Sequence, residues 1–94
     1  MDELSRISTL NRALEQAAAD GDWPRVGEID EERTRLLVAL PLSDEPALRA
    51  VVEDALCVTQ ALLAKAVDAR QSVMNELRGL HRGQRGASAY QQRP

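Results

Sequence analysis

Between Pro46 and Gly79 the chain runs 32 residues without a glycine or proline, and this stretch constrains the fold more than any other feature. Ala, Leu, Arg, Glu and Gln, the strongest helix formers, dominate it. From Leu48 the positions 48, 52, 55, 59, 62, 66, 69 and 73 alternate steps of four and three, a heptad-like seam of Leu, Val, Ala and Thr. A second stripe through Leu56, Leu63, Val67, Arg70, Met74 and Leu77 lies beside it. The combined apolar face is broader than a two-stranded coiled coil requires and fits a helical bundle.

Two shorter helices are expected before it. Leu4, Ile7, Leu10 or Asn11, Leu14 and Ala17 or Ala18 recur at helical spacing and predict a first helix over residues 2–19. Asp20-Gly21-Asp22 supplies a stop, and Asp22 followed by Trp23 and Pro24 is a good start for the second helix. That helix carries Val26, Ile29, Arg33, Leu36, Leu37 and Leu40 on one stripe and acidic residues on the opposite side. Trp23 is expected to staple the corner. Pro41 to Pro46 breaks the pattern, with cap candidates at Ser43, Asp44 and Glu45.

The reading is an all-α, antiparallel three-helix bundle over residues 1–82, with a long third helix from about Glu45 to His81. A short flexible tail follows over 83–94, which is polar and Gly-rich. At about 1.5 Å per residue the third helix is roughly 55 Å long and the first two about 27 Å each. The hairpin is therefore too short to cover helix three, and Leu63, Val67, Val73, Met74, Leu77 and Leu80 are expected to stay partly exposed and to ask for a partner. Leu, Ile and Val number only 22 of 94 residues and Phe is absent, so the core must be thin.

Catalysis has no candidate in this sequence. His81 is the single histidine, with no ligand at zinc spacing, and Cys57 stands alone within the helical pattern, expected as a small buried or half-buried residue. No enzyme activity, metal or cofactor is expected. No apolar run is long enough to span a membrane, and no leader-like segment opens the chain, so a soluble cytoplasmic protein is expected. All 15 acidic residues lie at or before Glu76 against eight basic ones there, so residues 1–76 carry 8 − 15 = −7. The last 18 residues carry four Arg and no acid, +4. The acidic body disfavours nucleic acid as the main partner.

Arg33 sits on an apolar stripe. It can snorkel, laying its stem on Ile29 and Leu37 while its guanidinium reaches water or a carboxylate, or contact a partner; a carboxylate on that partner or on a neighbouring helix is the expected acceptor. Met74, with Val73 and Leu77, is either core or a pliable binding surface. Binding of another polypeptide is the function class that remains.

Gly21-Asp22-Trp23 opening a helix, then Glu28 to Leu37 (Glu-Ile-Asp-Glu-Glu-Arg-Thr-Arg-Leu-Leu), and the ending Leu77 to Tyr90 with its basic run and Ala-Tyr together resemble the FliT-type flagellar export chaperones. The resemblance implies a small helical chaperone that binds the C-terminal region of the flagellar filament-cap protein. Such a chaperone prevents premature assembly of its client and delivers it to export-gate or export-ATPase components. It also implies that Tyr90 matches the family's C-terminal tyrosine, implicated in gate docking; a tail aromatic tucked into the helix-three groove is the alternative. The expected partner-binding set is Arg33, Leu63, Val67, Arg70, Val73, Met74, Leu77 and Tyr90. Two other functions stay open, a FlgN-type chaperone of the hook–filament junction proteins and a helical regulator that forms a homodimer.

Overall fold

The computed structural model describes the backbone of residues 2–91 and the side chains of residues 2–82. Among these residues there are three helices and no strand, α1 (Glu3–Ala19), α2 (Trp23–Val38) and α3 (Pro46–Gln91). The chain divides into two units, Met1–Ala64 and Lys65–Pro94, and α3 contributes to both.

Each helix end in the first unit has a local chemical cause. The Asp2 carboxylate accepts from the Ser5 amide at 2.7 Å and caps α1. That bond to the charged form holds the Asp2 carboxyl below its ordinary range. At the other end Gly21 adopts φ 71°, a left-handed conformation that only glycine takes without strain. This lets the Gly21 amide reach the Ala18 carbonyl at 3.0 Å and the Asp22 amide reach that of Ala17 at 2.9 Å, the paired bonds of a Schellman ending. Asp22 then starts α2, its side chain accepting from the Arg25 amide at 3.3 Å, with Pro24 in the first turn where a missing N–H does no harm. Before α3 the Ser43 hydroxyl accepts from the Glu45 amide at 3.2 Å, and Pro46 opens the helix.

The α1 stripe is realised as expected. Ile7, Leu10, Asn11, Leu14, Ala17 and Ala18 are buried, joined by Ala55 and Val58 from α3 and by Arg33 from α2. Val26, Ile29, Leu36, Leu37 and Leu40 are half-buried, as is Trp23 at the corner. α1 and α2 pack against each other along their length, and α3 meets both through the side chains described below.

The α3 seam differs from the expected one. Leu48, Val51, Ala55, Val58 and Leu62 turn inward, whereas Val52 is exposed. Val51 and Val52 are equally apolar alternatives along the chain, while Thr59 of the expected seam is half-buried beside buried Val58. Arg33 donates to the Ala55 carbonyl and to the Thr59 hydroxyl, so these two positions of the expected seam do face the bundle. α3 also continues past residue 82, where a tail is expected, to Gln91. A glycine costs a helix only about 1 kcal/mol relative to alanine, and Gln84, Arg85, Ala87 and Ala89 favour continuation between Gly83, Gly86 and the end. Residues 92–94 of the expected tail, and the side chain of Tyr90, lie outside the described residues.

Candidate functional site

Two arrangements stand out, one polar and internal, the other apolar and external. The internal one centres on Arg33, which is only 3% exposed. One terminal nitrogen donates to Asn11 Oδ1 at 3.0 Å and to the Ala55 carbonyl at 3.3 Å. The other donates to Asp30 Oδ1 at 2.9 Å and to Thr59 Oγ1 at 2.7 Å. One guanidinium thus ties α2 to α1 and α3 together. Its Nε alone is buried without a hydrogen-bond partner.

Asn11, fully buried, extends the network. Its amide nitrogen donates to Asp54 Oδ2 at 2.9 Å, and Arg12 donates to the same carboxylate at 2.6 Å. The Arg12 hydrogen bond is the main cause holding the Asp54 carboxyl below the usual aspartate range; burial opposes it, and Asn11 and the charges of Arg12 and Arg33 add to it. Arg6 pairs with Glu32 at the surface between α1 and α2.

This network decides among the sequence expectations for Arg33. Arg33 does not snorkel to water and presents no free guanidinium to a partner, because three helices supply its acceptors internally. Asn11, Asp54 and Thr59 were not singled out as a cluster. The signal available was the coincidence of one polar residue in the α1 stripe with one cation in the α2 stripe: two such groups facing one interior must pair.

The external arrangement is apolar. In the first unit α3 leaves Val52, Leu56 and Leu63 exposed. In the second, Val67, Val73, Met74, Leu77 and Leu80 are 40–66% exposed, and Arg70 among them is exposed too. At 100° per residue Val67, Val73, Met74, Leu77 and Leu80 cover one broad face of the helix. Met74 and Val73 are therefore surface and not core. Cys57 is also exposed, not half-buried as expected, and His81 is exposed near the end of the described side chains.

The sequence of residues 1–92 matches the family described as Flagellar protein FliT. The chain belongs to the FliT family. This is a family of flagellar export chaperones, so the exposed apolar face of α3 occurs in a chain whose relatives handle other polypeptides. No curated protein and no solved structure matches the chain. No described helix is long and apolar enough to cross a membrane. The FliT match covers all three helices and includes both the Arg33 network and the exposed α3 residues.

Proposed function

We propose that this FliT-family chain is a cytoplasmic chaperone that holds the C-terminal region of the flagellar filament-cap protein and hands it to the export gate. The observation that supports the reading is the run of large apolar side chains from Val67 to Leu80, all left to solvent in a chain of this family. Fully burying a Leu, Val or Met side chain gains about 1.5–3 kcal/mol. Leu63, Val67, Val73, Met74 and Leu77, already about half covered, would each add roughly 1 kcal/mol under an apolar client helix. Arg70 would contribute a cation at the rim. Tyr90 would serve delivery, docking on a gate or export-ATPase component while the client stays bound.

The helices are read as an antiparallel bundle. A three-residue turn joins α1 to α2, Arg6 near the start of α1 pairs with Glu32 in the second half of α2, and Arg33 of α2 meets Ala55 and Thr59.

Titration calorimetry of the full chain with the C-terminal segment of the cap protein tests the client assignment. Val73→Glu and Leu77→Glu should each weaken binding by at least about tenfold, or 1.4 kcal/mol, with the helical circular dichroism signal retained. Unchanged binding in both variants would remove the α3 site. Preferential binding of a hook–filament junction protein would reassign the client. Tyr90→Ala should keep client affinity and weaken binding to the export-gate protein.

A further inference from the structure

A hollow of about 480 Å³ lies wholly within the first unit, where the start of α1, the turn after α2 and the start of α3 meet. It shares no residue with the α3 face assigned to the client. Leu4, Leu40 and Leu48, each half-buried, and Pro41 give it an apolar wall. Leu42, next to Pro41 in the chain, is wholly exposed, and Val38 at the end of α2 is 80% exposed. Folding therefore leaves aliphatic surface at this corner that the three helices do not cover between them.

The charged residues that line the hollow are Asp2, Glu3 and Glu45, and all three are acids. Asp2 is occupied in capping α1 through the Ser5 amide. Glu3 and Glu45 have no ion pair among the described residues. The cations closest to them in sequence are engaged elsewhere, Arg6 with Glu32 and Arg49 with Asp44 at 3.6 Å. Two unneutralised carboxylates beside an apolar wall repel phosphate and acidic surfaces, and they attract Lys or Arg that stands next to leucine-sized side chains. Among the described residues there is no strand edge on which an extended partner could pair. A helix with apolar residues at i and i+3 or i+4 and basic residues on the flanks meets both requirements at once.

We propose that this corner is a second docking surface, which takes an amphipathic helix of a partner protein that carries Lys or Arg beside its apolar stripe. The partner's apolar side chains cover Leu4, Leu40, Pro41 and Leu48, and its cations face Glu3 and Glu45. The proposal depends neither on the identity of any client nor on the exposed face of α3.

Methyl NMR of the full chain, with its leucine methyls labelled, tests this with a capped peptide of about 14 residues that has Leu at helical spacing and Lys on both flanks. The methyl signals of Leu4, Leu40 and Leu48 should shift, and the Kd should rise at least about threefold between about 50 and 500 mM salt, because exposed charges are screened. Glu3→Lys/Glu45→Lys, checked for unchanged helix content, should bind this peptide at least about tenfold more weakly. The same variant should instead take the peptide in which every Lys is replaced by Glu, a ligand that a misfolded chain could not gain. Shifts confined to Leu63, Leu77 and Leu80 would overturn the proposal by placing the peptide on the α3 face. Equal affinity of the wild type for the two peptides would overturn it too, as would a double variant that keeps the Lys peptide, or no shift at about 1 mM peptide. A difference in sedimentation between the double variant and the wild type would assign the hollow to a second copy of the chain and likewise overturn it.

Discussion

Replacing Arg33 tests whether the interior is held by a polar tie as well as by apolar contact. In Arg33→Ala the Oδ1 of fully buried Asn11 loses its donor, at a cost of about 1–3 kcal/mol for a stranded polar group. The carbonyl of Ala55 keeps its bond within α3, and Asp30, about half exposed, recovers water, so neither adds much. Loss of the packed stem, roughly 0.8 kcal/mol per methylene, is offset by no longer burying the charge. The net expectation is about 2–3 kcal/mol. A chain of this size has a stability of about 5–14 kcal/mol, and its thin core places it near the lower end. Arg33→Lys should cost about 1–2 kcal/mol, because one ammonium cannot span Asn11 on one side and Asp30 with Thr59 on the other. Arg33→Met combined with Asn11→Leu should cost less than the sum of the two single changes, with a coupling of at least about 1 kcal/mol. Urea unfolding followed by circular dichroism, with an unchanged denaturant slope, measures each value. Losses below about 0.5 kcal/mol for both Ala and Lys would refute the reasoning.

Asp54 gives a pH signature. Its folded carboxyl lies below the unfolded value of about 3.9, chiefly through Arg12, so its contribution is present above that value and is lost as pH falls through the folded one. Asp54→Asn should therefore lower the urea midpoint at pH 7 and converge with the wild type in acid; a constant difference across pH would contradict the assignment. The glycines should split in sign. Gly21→Ala, at φ 71°, should destabilise by about 1–2 kcal/mol, whereas Gly27→Ala, with nothing within 4 Å of the added carbon, should stabilise by about 0.5–1 kcal/mol. Thermal unfolding of both variants checks this, and shifts of the same sign would refute it.

Local chemistry made much of the fold legible along the chain. Asp2, Gly21, Asp22, Pro24 and Pro46 set four helix ends through bonds and torsions spanning at most a few residues. The buried face of α1 followed from its 3.6-residue period alone. The second α3 stripe was equally visible, and its residues are exposed where side chains are described. The third helix's end was less so, because a glycine penalty near 1 kcal/mol is small enough for neighbouring helix formers to outweigh.

Periodicity could not choose between the two α3 registers, since Val51 and Val52 are the same residue type on faces 100° apart. Nor could it show that Arg33 turns inward, because a long cation on an apolar stripe is equally compatible with snorkelling. The second answer depends on acceptors distant in sequence, Asn11 Oδ1 on α1 and Thr59 Oγ1 and the Ala55 carbonyl on α3. A buried charge must find its partners wherever the other helices place them. The sequence by itself determined the helices, their caps and the excess of apolar surface on α3. Only the tertiary structure decided which face of α3 meets the bundle in the first unit and that Arg33 is held inside.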